Sequence, residues 1–252
     1  MKLRVFTILA VALLCLAPTA SLADLAPYSQ DFEGLLDTTL DQPDQVELAN
    51  DGWLVYVNVF GPDWGWWYGY GTFPAPNGGF GGPAFSAVVV GEGSPDQGDQ
   101  QLSVYSDYNN GNQGDGSNAI IETNVFQEQQ FIGAADVGNT WLFEFDAKRG
   151  NIEGASMARA FFKTLDPNAG YATTNYIPID MTNIPDEWDH YSIAIFIDAS
   201  LAGQILQFGF NNYASNYEGS GIFYDNINFG IAPLSVSMDI KPGSCPTPIN
   251  AR

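Results

Sequence analysis

The stretch WLFEFDA (residues 141–147) puts Trp141, Phe143, Phe145 and Ala147 on one side of an extended chain and Leu142, Glu144 and Asp146 on the other. Side chains of a β-strand alternate between faces with period two. The stretch therefore specifies a strand with one apolar face and one largely polar face. Such strands belong to antiparallel sheets that pack on a core through one side only. The period returns in Tyr191, Ile193, Ile195 and Ile197, and again in Leu206, Phe208 and Phe210. Further strands are expected at Tyr28–Glu33, Trp53–Phe60, Gln101–Tyr108, Ala119–Phe126, Met157–Thr164 and Gly221–Phe229. Clusters of Gly, Asn, Asp and Pro separate them, and past the leader no segment keeps a helical period beyond about two turns. Two facing antiparallel sheets around one core follow, an all-β sandwich.

Two segments break this pattern. Gly61–Pro83 carries Trp64, Trp66, Trp67, Tyr68, Tyr70, Phe73 and Phe80 among many glycines and reads as a long loop. From Ile231 the chain turns Pro- and Ser-containing and reads as a tail over 231–252.

The start of the chain has the parts of a secretory signal: Lys2 and Arg4, an apolar run from Val5 to Leu16, then Ser21 and Ala23 before an expected cut at Asp24. A lipid-attachment reading of Cys15 fails on Leu14, where a small side chain is required. Residues 1–23 are thus read as a signal peptide and 24–230 as one domain, placed outside the cell, on its surface or in a periplasm. No later run approaches the roughly 20 apolar residues of a membrane helix. Removing the signal leaves Cys245 alone, so no disulfide within the chain is expected, and stability must come from packing or bound ions. The 252 residues carry 29 acidic and eight basic side chains, a formal charge of −21, and the signal takes away only basic ones. Such a surface repels nucleic acid and anionic lipid and attracts divalent cations, although plain solubility explains it as well.

Short motifs bring a resemblance. QDFEG (Gln30–Gly34), DGW (Asp51–Trp53), FEFDAKRG (Phe143–Gly150), EWDHYSIAI (Glu187–Ile195) and FYDNINF (Phe223–Phe229) resemble the jelly-roll carbohydrate-binding modules of secreted bacterial proteins, part of the galactose-binding-like superfamily. The likeness spans about Tyr28 to Gly230. With SVYSDYNN (Ser103–Asn110) and VFQEQ (Val125–Gln129), the domain also resembles a group of exported proteins of marine-type bacteria, which implies export and no particular activity. DIKPGSCPTPIN (Asp239–Asn250) resembles the start of a further repeat-like region, so the sequence is read as a possible fragment of a longer chain.

Candidate sites follow from residue type. In the last expected strand Phe223, Ile227 and Phe229 face the core with Asp225 among them. An unpaired carboxylate there is costly, so it must be partnered, protonated or placed at a rim. In the resembling modules the equivalent acid and one from the first strand hold a structural calcium ion. The resemblance thus implies Asp225 and Glu33 as ligands, with Asp31 and main-chain carbonyls to complete an oxygen shell. A hydrogen-bonded Asp or a salt bridge is the competing reading. The loop DYNNGNQGDGSN (Asp107–Asn118) lacks the fifth-position ligand and closing Glu of an EF-hand and reads as a connection.

Flat rings stack on sugar faces, so Trp64, Trp66, Trp67, Tyr68 and Tyr70 are the candidate glycan contacts. The same rings could instead close one end of the core. Catalytic residues are not expected. His190, the single histidine, falls on an outer face and excludes a His-rich zinc site. Glu144 and Asp146 share a face about 7 Å apart, within the range of paired glycosidase carboxylates. They resemble the ExDxxE strand of laminarinase-like enzymes, but Arg149 stands where the third acid belongs. The expectation is a secreted, calcium-stabilised, non-catalytic glycan-binding module. A cell-surface matrix protein that binds no sugar is the alternative, and a glycoside hydrolase is third.

Overall fold

A computed structural model describes residues 24–35, 47–75, 85–129 and 131–233. The expected signal peptide, most of the Gly-rich stretch after Ala75, and the tail beyond Pro233 lie outside these residues. The described chain contains β1 (Tyr28–Gln30), a single helical turn α1 (Glu47–Asn50), β2 (Trp53–Phe60), β3 (Trp66–Pro74), β4 (Ser86–Val90) and β5 (Gln100–Val104). It continues with β6 (Ile120–Gln129), β7 (Thr140–Ile152), β8 (Met157–Asp166), β9 (Ala172–Asp180), β10 (Asp189–Phe196), β11 (Ile205–Ala214) and β12 (Ser220–Ile231). Among the described residues no helix is long and apolar enough to cross a membrane.

Every pairing is antiparallel and two sheets result. The first runs β10-β7-β12-β5-β4, with β1 also on β12. β5 pairs with Ile222–Tyr224 and β1 with Ile227–Phe229, so the two lie end to end along one edge of β12 while β7 covers the other edge. The second sheet runs β3-β2-β6-β11-β8-β9. The inward residues of the two sheets form a single core, as the alternation in WLFEFDA requires: Trp141, Phe143, Phe145 and Ala147 are buried. Phe210 sits at its centre, with ring contacts to Trp53, Phe143, Phe145 and Tyr224. Burying a large aromatic side chain contributes about 1.5–3 kcal/mol by area alone, so this cluster dominates the apolar stabilisation. The antiparallel sandwich expected from the period-two pattern, of the jelly-roll kind that the resemblance implied, is the observed fold.

Several boundaries differ from the sequence reading. Trp66–Pro74 is an edge strand rather than loop, hydrogen-bonded along β2. Its outward positions include Gly69 and Gly71, where an added Cβ would fall 2.5 Å from the Tyr56 hydroxyl and 2.9 Å from the Val55 carbonyl. Glycine is needed there because the Tyr56 ring lies across the strand. β1 stops at Gln30 because Phe32 turns to a left-handed φ of 59° and buries its ring. β4 and β9 were not anticipated, and Ile231 belongs to β12 rather than to a tail.

The largest correction concerns β12. Asp225 is opposite Asp146 while Asn228 is opposite Glu144, so a β-bulge lies between them, with Asn226 at φ 48°. One inserted residue reverses the phase of alternation. Ile222 and Tyr224 therefore face the core before the bulge, Ile227 and Phe229 after it, and Phe223 is only half-buried. Of the expected set only Ile227 and Phe229 face the core, and Asp225 shares the opposite face with Phe223. Asp225 lies on the outer face of the first sheet, buried beneath the segment joining β4 and β5.

Candidate functional site

The bulge in β12 builds an acidic junction. Its unusual geometry turns Asp225 towards Asp146 and towards Asp31 and Glu33, which follow β1. Glu33 Oε1 accepts from the main-chain N–H groups of Asp99 (2.8 Å) and Gln100 (2.7 Å), and Asp31 accepts from Glu33 N at 3.2 Å. Asn226 Nδ2 donates to the Asp96 carbonyl (3.0 Å) and to Asp146 Oδ2 (2.8 Å), which Gln97 also contacts at 2.8 Å. The β4–β5 segment is thus pinned over Asp225. That residue is fully buried; its Oδ1 accepts from Asn226 N at 2.6 Å, and its Oδ2 has no partner. Burial and the neighbouring Glu33, Asp146 and Asp31 charges push its pKa up to about 8.

This junction suits a hard cation by its chemistry: an orphaned buried carboxylate oxygen, further carboxylates beside it, main-chain carbonyls, and no Lys or Arg paired with any of them among the described residues. Among the described residues no three acidic, histidine or cysteine side chains already converge as a ready cage. Any ion would therefore depend on carbonyl oxygens for much of its shell.

A second site lies on the outer face of the other sheet. The register aligns three rows across it: Glu128, Gln207, Lys163 and Tyr176; then Phe126, Gly209, Phe161 and Pro178; then Tyr56, Asn124, Asn211, Arg159 and Asp180. Many of these outward residues are nevertheless buried, Asn211 and Phe161 completely, because the face is concave. Gly209 belongs to this shape, since a Cβ there would lie 2.3 Å from the Val125 carbonyl. The resulting cavity, about 560 Å3, is lined by Tyr56, Asn58, Asn124, Lys163 and Tyr171 among others.

A polar network adjoins this cavity on the same face, joined to its wall through Asn58. Glu122 accepts from Asn58 Nδ2 (2.7 Å), the Tyr213 hydroxyl (2.8 Å) and Asn211 Nδ2 (3.4 Å), and Asn211 also donates to Tyr176 at 2.8 Å. Burial, with Glu122 alongside, pushes the Tyr213 pKa far above the ordinary phenol value, so its hydroxyl stays a donor. Two buried amide oxygens, Asn124 Oδ1 and Asn211 Oδ1, have no hydrogen-bond partner. Such groups are rare in native proteins, and each costs about 1–3 kcal/mol when left unmet.

The structure divides the five aromatic residues proposed from sequence. Trp66 is exposed on the groove side, and its indole Nε1 donates to Asn58 Oδ1 at 3.1 Å. Trp64, also exposed, packs edge-on to Tyr213 and lines a neighbouring hollow of about 380 Å3 with Met157 and Ile120. Tyr68 and Tyr70 face the other way and bond to the Asp107–Asn112 connection, through Asn112 Nδ2 to Tyr68 (2.6 Å) and Asn110 Nδ2 to Tyr70 (2.9 Å). Trp67 lies against Gly61 and is partly exposed. Trp64, Trp66, Trp67 and Tyr68 do not close the core; of the five, only Tyr70 packs against it. The groove residues Tyr56, Asn58, Asn124 and Lys163, and the adjoining Asn211 and Tyr176, were missed. Their signal was present: β11 carries Gln207, Asn211 and Tyr213 at outward positions, where a plain solvent face would carry charges.

Glu144 and Asp146 share an outer face as expected, and His190 lies outward beside them. His190 Nδ1 is 2.9 Å from Asp146 Oδ1 and its Nε2 is 3.8 Å from Glu144. Burial raises the Asp146 pKa, but hydrogen bonds from Asn226, His190 and Gln97 outweigh it and hold the group below the usual carboxylate range. Asp146 is therefore a held anion, which can be the ionised member of a glycosidase pair but not its raised-pKa acid.

No family model and no curated protein matches the chain. Solved structures similar to it include a xylan-binding domain of carbohydrate-binding module family 22, 17% identical with a TM-score of 0.39, covering 85% of this chain and 97% of that one. A cyclase from Fischerella sp. TAU is 16% identical, TM-score 0.45, covering 82% of this chain and 99% of that one. The enzymatically active domain of a tailspike protein of bacteriophage CBA120 is 14% identical, TM-score 0.42, over 72% of this chain, which spans only 19% of the tailspike chain. Carbohydrate-binding modules thus stand among the similar structures, alongside enzymes. Overlaps this loose leave ligand and activity to the chain's own side chains.

Proposed function

We propose that the protein is a non-catalytic glycan-binding module acting outside the cytoplasm, with the concave face of the second sheet as its binding groove. The observation that carries this reading is the pair of unpartnered amide oxygens, Asn124 Oδ1 in the cavity wall and Asn211 Oδ1 opposite it in the register, on a face that also carries Tyr56, Tyr176 and Trp66. Sugars supply hydroxyl donors for such acceptors and apolar ring faces for such aromatics. A groove open along a sheet face also suits a chain ligand better than a small enclosed one.

A calcium ion at the acidic junction is the second part of the proposal. Asp225 and Glu33 would hold it, with Asp31 and nearby carbonyls. When bound it would neutralise the carboxylates and tie the β4–β5 segment to β12.

Retention on immobilised or insoluble polysaccharides tests the groove. The Tyr56→Ala, Trp66→Ala double variant is expected to bind at least tenfold more weakly than the native chain to whichever polysaccharide retains it. Tyr217→Ala, an exposed aromatic that lies against Gly114, is expected to change nothing. Equal retention of the native and double-variant proteins would remove the groove from the account. No retention of the native protein on any polysaccharide would favour a matrix role.

A further inference from the structure

Resting on the groove as the glycan site, we infer that its ligand carries an isolated anionic substituent, a carboxylate or sulfate ester, which pairs with the Lys163 ammonium. The basic side chains among the described residues are Lys148, Arg149, Arg159 and Lys163. Lys148 is paired with Glu92 at 2.8 Å, and Arg149 donates to the Ile152 carbonyl at 3.2 Å. Arg159 and Lys163, four residues apart on β8, share the outer face of the sheet, and Lys163 lines the groove. Arg159 stacks over the Tyr213 ring, bonds its hydroxyl at 3.2 Å and helps to keep Asp180 ionised.

Lys163 has no such answer. Its ammonium lies 4.8 Å from the Phe161 ring centroid and 5.7 Å from that of Tyr176, and it lines the groove cavity. In a chain of 29 acidic residues, no described carboxylate comes within ion-pair distance of it. The carboxylates of the same sheet face are committed elsewhere, Glu122 to Asn58 and Tyr213, and Glu128 to Gln207 at 2.7 Å. Withdrawal from water lowers the Lys163 pKa despite the field of Glu122. A desolvated, unpaired ammonium is costly in a folded protein. One on the floor of an open groove is a site prepared for an anion, where ring faces add to the hold on a sugar.

The overall charge of −21 limits what that anion can be. A densely charged polymer would be repelled by the rest of the surface. A largely neutral glycan with sparse acidic branches keeps the local pairing without that repulsion.

Affinity electrophoresis of the full chain separates the cases. The probes are a glucuronic-acid-substituted xylan with its carboxyl-reduced form, and a lightly sulfated galactan with its desulfated form. At least tenfold tighter binding of one acidic member over its neutral counterpart is expected, a charge-assisted bond being worth about that ratio. The pair that shows it tells carboxylate from sulfate. In Lys163→Met the ratio should fall to about one, and in Lys163→Arg it should persist, with circular dichroism confirming both folds. Equal binding of acidic and neutral members by the native protein overturns this inference and leaves the groove reading intact. A ratio that survives in Lys163→Met also overturns it. No binding of any probe removes both.

Discussion

Stripped of divalent ions, the protein is expected to lose stability steeply as pH rises from about 4 to about 8. The folded-state pKa of Asp225, about 8, lies above the usual carboxylate value of about 3.9. The folded chain therefore holds this proton more tightly than the unfolded chain does. The associated stability is complete below about pH 4 and is lost as pH climbs through about 8. At about 1.4 kcal/mol per pKa unit, the span amounts to several kcal/mol. The lowered pKa values of Asp146 and Asp180 act at more acidic pH and the raised tyrosines above about pH 10; Asp107, raised by burial, acts in the same direction as Asp225, and Lys163, lowered by burial, in the opposite one, so a substitution at Asp225 is needed to isolate its share. Melting curves in chelator should show the fall, and millimolar calcium should abolish it, because a ligand bound only by the folded state stabilises by mass action. Asp225→Asn should lose most of the pH dependence in this window and all of the response to calcium. A flat profile in chelator, or a calcium response that survives in Asp225→Asn, would contradict the proposed ion site.

Phe210→Ala is expected to be the most damaging single truncation of the core. Its ring is fully buried and contacts Trp53, Phe143, Phe145 and Tyr224, which come from both sheets and cannot collapse together into the space it leaves. Loss of a large buried aromatic costs about 3–5 kcal/mol, roughly 10 °C in Tm for a domain of this size. Phe196→Ala removes the same group from a position that is 59% exposed and should stay within about 0.5 kcal/mol of the native chain. Denaturant or thermal unfolding of the two variants side by side checks the contrast. Similar losses in both would mean that Phe210 is not at the centre of the core.

The core was legible because it depends on a local rule. Trp141, Phe143 and Phe145 need only extended backbone to reach the same side. Where a second rule intervened, the reading failed. At Asp225 a bulged residue reset the phase, and nothing within FYDNINF distinguishes a bulged strand from a regular one. In β3, glycines at alternate positions hid the strand, since their purpose is to admit Tyr56 from a neighbour remote in sequence. The groove escaped notice for a related reason. Outward residues such as Asn124 and Asn211 are assigned to water by alternation alone, and only the curvature of the whole sheet withdraws them from it. The acidic junction was partly visible through Glu33 and Asp225, but its covering segment, Asp96 to Gln100, was not.

The position of β12 has a consequence for biosynthesis. The three strands it joins, β1, β5 and β7, all precede it in the chain, so a nascent polypeptide leaves the ribosome with their facing edges open until residues 220–231 emerge. Unpaired edges recruit one another between molecules. Chains released short of Ser220 should therefore aggregate rather than persist as a smaller soluble fold, and ribosomal stalling there would be the most harmful point at which to interrupt synthesis.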